Sequence, residues 1–263
     1  METQAEPERS TRRTAHEIYD KVKENARAEL DRSPHALAFS GAAGGFGMGL
    51  TALAVASTHA VLGSSPAADF AALLFYPAGF IAVIIGRFQL FTENTLYPVV
   101  LVLTERRHVW ATLRLWGIVL LFNIVGACLF ALLVGLTSSV QPKTQEELVK
   151  LGLGMVASSR AEVFWSGIIG GWIIALVAWI VAGSHWTIGQ VAVIWMITFV
   201  VGLGHFAHCI ASSGEILSAV VGGLAPATMY LHWLFFATSG NIVGGVTIVS
   251  LMNYGQVKAG EVE

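Results

Sequence analysis

Six predominantly apolar stretches divide the chain, at roughly 36–62, 68–103, 110–136, 162–182, 187–222 and 226–252. A helix of about 20 such residues crosses a bilayer core, so each stretch predicts a transmembrane segment. The second and fifth are too long for a simple crossing, and polar residues interrupt both. Two short patterns recur along this frame. Ser40-Gly41-x-x-Gly44-Gly45 opens the first stretch, and Ser166-Gly167-x-x-Gly170-Gly171 opens the fourth, 126 residues later. Asn123-Ile124-Val125-Gly126 lies in the third, and Asn241-Ile242-Val243-Gly244 lies in the sixth, 118 residues later. Unrelated patterns thus agree on one half-chain period. Each half holds three segments, an odd number, so the second half must start from the opposite face. The predicted fold is an all-α membrane protein with six transmembrane segments as an inverted 3+3 repeat, the second and fifth broken. Channels and secondary transporters are built this way, with the site at the repeat interface.

Composition agrees with that frame. Hydrophobic residues make up 55% and charged residues 12% of the chain, with mean hydropathy +0.67, which excludes an ordinary soluble domain. Lys and Arg counting then orients it. Arg9, Arg12, Arg13, Lys21, Lys23, Arg27 and Arg32 precede the first segment; Arg106, Arg107 and Arg114 follow the second; Lys258 ends the chain. With both termini inside, these 11 face the cytoplasm, against Lys143, Lys150 and Arg160 in an outside connection. The expected location is a bacterial cytoplasmic (inner) membrane, N-in and C-in. The domains read as a charged tail over 1–34, a transmembrane domain over 35–255 and a short tail over 256–263. Within the first tail, Ile18, Val22, Ala26 and Leu30 recur every four residues among charges, predicting an amphipathic helix over 12–31. It is read as lying at the lipid headgroups, or else as a lid at a pore mouth. Cys128 and Cys209 fall inside segments and read as small hydrophobes.

The interruptions carry the chemistry. In the second segment, Thr92-Glu93-Asn94-Thr95 sits in mid-hydrocarbon, which is costly unless it lines a cavity or is buried in protein. Pro98 suits the first turn of a new helix, and Asn94 and Thr95 are good N-caps. A helix that stops near Gln89 and restarts near Leu96 follows. In the fifth, His205-Phe206-Ala207-His208 leads into Ser212-x-x-Glu215, which has capping-box spacing. Two restarted helix N-termini near the midplane favour an anion.

With Phe88-Gln-Leu-Phe-Thr-Glu-Asn-Thr95, the paired Asn-Ile-Val-Gly motifs and Gly204-His-Phe-Ala-His208, residues 35–255 resemble the formate/nitrite transporter family. Within it, the Glu93-Asn94 pair looks most like a branch typified by an enterobacterial inner-membrane protein of unassigned substrate. The resemblance implies an aquaporin-like protomer, a homopentamer with one pore per subunit, and proton-linked passage of formate, nitrite or hydrosulfide. It implies that His208 is the central pore histidine, that Thr92 faces it, and that Asn241, with Asn123 in the equivalent motif, lies near the pore. It sets Phe80 and Val201, the latter two residues from Phe199, at two apolar constrictions, with Phe91 beside the first loop. The family's vestibule lysine falls here close to Met155, with Arg160 as the nearby substitute. Ala207 stands where the family often has an acid, and Arg87 and Glu93 are charges that its familiar channels lack.

Physical chemistry points the same way. A bare anion pays several kcal/mol to cross an apolar constriction, so the pore must supply dipoles or a proton. Histidine is a natural proton partner, with an unperturbed pKa of about 6.5. Arg87 and Glu93 are read as pairing across the first break, or Arg87 as pointing into the pore. His205-x-x-His208 resembles half of a metal site, but no second Glu-x-x-His accompanies it. No cofactor, metal, nucleic-acid partner or enzymatic activity is expected, since no nucleophile triad or metal-ligand set is present. The alternatives are a channel for water, ammonia or hydrogen sulfide, and a non-conducting membrane sensor.

Overall fold

A computed structural model describes residues 13–260, and every regular element among them is helical. Arg9 and Arg12 of the basic tail and residues 261–263 lie outside the described residues. The amphipathic tail forms α1 (Ala15–Leu30), begun by a capping box between Thr14 and Glu17. After it, Ser33 caps α2 (Pro34–Leu62), with Pro34 in the first turn, where its missing N–H costs nothing. The second stretch divides into α3 (Pro66–Leu73), α4 (Ala78–Ile85) and α5 (Tyr97–Glu105), followed by α6 (Val109–Leu136). The later elements are α7 (Pro142–Ala157), α8 (Arg160–Gly183), α9 (Thr187–Leu203), α10 (Ala211–Val221) and α11 (Ala227–Val243). A π-helical stretch, Gly244–Leu251, joins α11 to α12 (Met252–Ala259). Five helical stretches among the described residues are long and apolar enough to cross a membrane. Outward-facing Phe39, Trp110, Leu121, Leu133 and Phe235 are exposed, a surface suited to lipid or to another protein and not to water.

Three elements differ from the sequence expectation. The connection after α6 is not a loop but the helix α7, which buries Thr144, Glu147, Leu148 and Gly152. It packs on α10 and α2, much as α1 packs on α5 and α8. The helix expected to run to Gln89 is split between α3 and α4, where Pro77 lacks an N–H. Thr51 bridges that turn, donating to the Tyr76 carbonyl at 2.9 Å and accepting from the Gly79 N–H at 3.2 Å. The last helix runs to Ala259 and so extends past the expected domain boundary at 255.

Residues of α1 dock on protein. Tyr19 is buried, its hydroxyl 2.5 Å from Thr104 Oγ1, its ring against Trp179 and Tyr254. Arg114 donates to the Leu30 carbonyl at 2.7 Å, and Arg13 donates to the Ala182 carbonyl. Asn25, Ala28 and Glu29 border a cavity beneath α1, which puts this helix at a mouth. Glu105 at the end of α5 accepts from His108 (2.9 Å), Arg27 (2.7 Å) and Arg107 (2.6 Å). These bonds hold its carboxyl at about 2, below the ordinary carboxylate range. A depressed folded-state pKa contributes stability above the unfolded value and loses it as pH falls through the folded one. The link from α1 to α5 should therefore hold down to pH 4.5 and loosen toward about 2. Hydrogen exchange of the α1 amides across that window checks this, with Glu105→Gln showing the loosened behaviour already at neutral pH.

Candidate functional site

Where α4 ends, the chain turns through a helix-ending motif that recurs at the end of α9. The Phe88 N–H reaches back to the Val83 carbonyl and the Arg87 N–H to that of Ile84; Phe206 and His205 do the same to Val201 and Gly202. Such ends need a left-handed residue, usually glycine. Here Arg87 (φ 58°) and His205 (φ 49°) hold it, at a cost of about 1 kcal/mol each. In return, both side chains stand at cavity walls.

Beyond those turns, two loops run without a helix, one from Gly86 to the 3₁₀ turn Glu93–Thr95 and buried from Gln89 on, the other from Gly204 to Ile210 and buried from Ala207 on. Backbone this deep must find partners, and the repeated motifs supply them. Asn123 Oδ1 accepts the Phe91 N–H at 2.9 Å, while its Nδ2 donates to the Gly41 and Gln89 carbonyls at 2.7 and 2.8 Å. Asn241 Oδ1 accepts the Cys209 N–H at 2.9 Å, while its Nδ2 donates to the Gly167 and Ala207 carbonyls at 2.7 and 2.9 Å. Ser40 Oγ takes the Gln89 N–H at 3.1 Å, and Ser166 Oγ takes the Ala207 N–H at 2.8 Å. Glycines let the helices approach closely enough for this. A Cβ on Gly45 or Gly171 would collide with the backbone of Asn123 or Asn241, and one on Gly44 or Gly170 with the Gln89 or Ala207 carbonyl. Asn123 and Asn241, expected near the pore, thus each make three hydrogen bonds to backbone, both amide N–H donors included.

Four N–H groups in the loops are left without an acceptor among the described residues: those of Leu90 and Thr92, and those of His208 and Ile210. The positions correspond across the 118-residue period. At the centre of the loops Thr92 Oγ1 lies 2.8 Å from His208 Nε2, and both residues are fully buried. His208 Nδ1 accepts the Ala211 N–H at 2.9 Å. The ring therefore caps α10 and in its neutral form carries its proton on Nε2, as donor to Thr92. This bond replaces the expected Ser212 capping box: α10 begins at Ala211, and neither Ser212 nor any other hydroxyl caps it. Likewise Asn94 and Thr95 do not cap α5. Asn94 Nδ2 turns back to Gln89 Oε1 and the Leu90 carbonyl, and Thr95 Oγ1 donates to the Thr92 carbonyl. The Phe80 ring meets the His208 ring edge to face at 5.1 Å, and Tyr76 stands 5.8 Å beyond Phe80.

Cavities lie at the two ends of α4. One, of about 250 Å³, is bordered by α1 and lined by Glu29, Arg87, Gln89, Leu90, Glu93 and Asn94. The other, of about 290 Å³, is bordered by α7 and lined by His59, Tyr76, Met155, Val201, His205 and Glu215. Next to the first, Arg13, Lys21, Arg87 and His185 line a polar recess of about 280 Å³. Arg87 and Glu93 share the first cavity without forming an ion pair, contrary to the expected pairing. Val201 lines the second, whereas Phe199 stacks on Trp195 and meets Phe70 edge to face. His205 lies in the loop at a cavity wall and not one helical turn below His208. Phe91 packs against Trp116. Arg160 lines a separate pocket with His232, while Met155 does line the second cavity. Ser40, Ser166, Gln89 and Tyr76 were not expected here; the two serines were legible as the first letters of the repeated motif. No group of three metal-ligating side chains occurs among the described residues.

Comparison with known proteins fixes the lineage. The sequence profile described as Formate/nitrite transporter matches residues 16–255. "Inner membrane protein YfdC" of Escherichia coli (strain K12) is 33% identical over 252 residues, covering 92% of this chain and 78% of that protein. A solved "FNT family ion channel" superposes with a TM-score of 0.83 at 19% identity, covering 92% of this chain and 99% of that one. A "Pentameric formate channel with formate bound" does so at 0.70 and 16%, covering 90% and 99%. The chain belongs to the formate/nitrite transporter family. It is a membrane channel or transporter and not an enzyme.

The clamp makes a sharp demand on stability. Asn241→Ala leaves two buried loop groups unpaired, the Cys209 N–H and the Ala207 carbonyl, at about 1–3 kcal/mol each. Gly171→Ala drives a methyl into the Asn241 backbone, at about 1–3 kcal/mol. Gly154→Ala, with nothing within 4 Å, should cost nothing. Thermal unfolding midpoints in detergent, read by size exclusion, will rank the three.

Proposed function

For a protein of this family, we propose a transmembrane pore for small monovalent weak-acid anions of the formate, nitrite or hydrosulfide type, moved together with a proton. The observation that carries this reading is the Thr92–His208 contact at 2.8 Å, set between two cavities and beneath the Phe80 ring. A small weak acid or its anion that parts Thr92 from His208 meets the Nε2–H and the Thr92 hydroxyl. Donors held in place offset the desolvation of a small anion at no cost of reorganisation. No fixed cation stands at the contact to trap it. His208 enters as the proton's partner in a restricted sense. With Nδ1 engaged by Ala211, the ring offers a hydrogen bond through Nε2–H and takes a second proton only when the Ala211 bond opens.

The architecture we infer has six crossings as two inverted halves: α2, α3 to α5 and α6 in one, then α8, α9 with α10, and α11 with α12 in the other. Support comes from the clamps repeated 118 residues apart and from the opposed cavities. Basic residues on α1 and in the α5–α6 connection favour a cytoplasmic α1 side, in a bacterial inner membrane. The exposed apolar faces and the likeness to a pentameric channel favour a homopentamer. Native mass spectrometry from several mild detergents should give five copies; a dominant monomer or trimer refutes that assembly.

The central test is swelling of proteoliposomes in formate, nitrite and chloride salts. Wild type should pass formate and nitrite faster as external pH falls, and chloride poorly at every pH. His208→Phe removes a preorganised donor and should slow formate by about 10²–10³-fold. His208→Asn keeps a donor and should retain far more flux. Equal passage of chloride and formate would overturn the weak-acid reading.

A further inference from the structure

Each cavity contains one buried carboxyl group that the pore reading leaves idle. Glu93 opens the 3₁₀ turn beside the first loop, is 9% exposed and lines the α1-side cavity. Its carboxyl has no hydrogen-bond or ion-pair partner among the described residues, the charges facing it being Arg87 of its own loop and Glu29 of α1, with the Tyr97 hydroxyl nearby. Glu215 sits one turn into α10, is 4% exposed and lines the α7-side cavity, with Oε2 buried and unbonded. Around it stand the Tyr76 hydroxyl before α4, His59 of α2, Asp69 of α3 and His205 of the second loop. A lone carboxylate in such a place is costly. Facing an anion path it would also repel the cargo. Held as the acid, it has a proton to give.

Resting on the pore reading above, we propose that Glu93 and Glu215 are the proton-exchange groups of the two cavities. Each hands its proton to the anion arriving on its side and takes one from the neutral acid leaving there. The step balances. On the near side the carboxyl O–H breaks and an O–H or S–H bond forms on the cargo, leaving a carboxylate and a neutral acid. The acid crosses Thr92 and His208 with no charge to desolvate. On the far side the resting carboxyl gives its proton to cavity water; the cargo's O–H or S–H bond then breaks, that carboxylate takes the proton and is the acid again, and the anion departs. Cavity water on the near side reprotonates the near carboxylate, so one proton and one anion have crossed. His208 is poorly placed for this task, because its Nδ1 is already the cap of α10.

The test uses the full chain in proteoliposomes with an entrapped pH-sensitive dye and a formate gradient. Wild type should acidify the lumen as formate enters. Glu93→Gln and Glu215→Gln keep the shape but hold no exchangeable acid proton; each should slow formate-linked acidification by about tenfold or more and flatten its rise between about pH 7 and pH 5. Glu93→Asp and Glu215→Asp should restore the pH dependence. Infrared difference spectra of the wild-type protein should show a carboxylic-acid carbonyl band that responds to formate and is diminished in each glutamine variant, which serves even where a variant reconstitutes poorly. Wild-type rate and pH dependence in either glutamine variant, or a carbonyl band indifferent to formate, overturns the assignment and leaves the pore intact. A wild type that moves none of formate, nitrite or hydrosulfide overturns the pore reading itself, and this assignment with it.

Discussion

Unpaired peptide groups are costly in a membrane interior, and the whole structure is arranged around two places where the chain leaves the helix there. Each place is held by one asparagine amide with three hydrogen bonds and by one serine hydroxyl with another. For the amide to reach, α2 must lie against α6, and α8 against α11, at a separation only glycine allows. The glycine stripes and the asparagine motifs are therefore one device. Loss of either frees several polar groups in hydrocarbon, where each costs several kcal/mol.

That device was legible in the sequence because it appears twice with a fixed interval. How the amides are used has no direct sign in the residue pattern: Asn123 and Asn241 are expected near the pore, and their hydrogen bonds go to the backbone of the two loops and of Gly41 and Gly167. The position of the Thr92–His208 contact rested on the family resemblance, and its detail was hidden. Which ring nitrogen is engaged depends on α10 starting at Ala211, one residue before the Ser212 that its spacing nominated. The split at Pro77 passed unnoticed because apolar periodicity runs through it and only Thr51, on another helix, makes it affordable. For α7 the cause was different. Lys143, Glu146, Glu147 and Lys150 made its segment look like a surface loop, while the alternate face of Thr144, Leu148 and Gly152 carries the helical repeat.

The two ends of the path are chemically unlike. On the α1 side Arg87 adjoins Arg13, Lys21 and His185, fixed cations for the most part, with Glu93 deeper in. On the α7 side histidines and carboxyls predominate: His59, Asp69, His205 and Glu215. In the proposed pore the first rim would attract an anion by long-range field, whereas no lysine or arginine among the described residues lines the second. The central Thr92–His208 contact of that pore would set selectivity and the rims occupancy.

Because each loop is tied down by its own asparagine and serine, the side chains of Leu90, Thr92 and Ile210 take no part in holding it, and His208 alone among the four also caps a helix. The clamp binds main-chain atoms and is blind to the residues it holds, which is why corresponding positions carry Leu90 and His208, or Thr92 and Ile210, on backbones bonded alike. A duplicated ancestor could let the three that cap nothing drift while the frame stood still. New cargo preferences would then arise by single exchanges at the centre, with folding left untouched, and a lineage could change diet without rebuilding its channel.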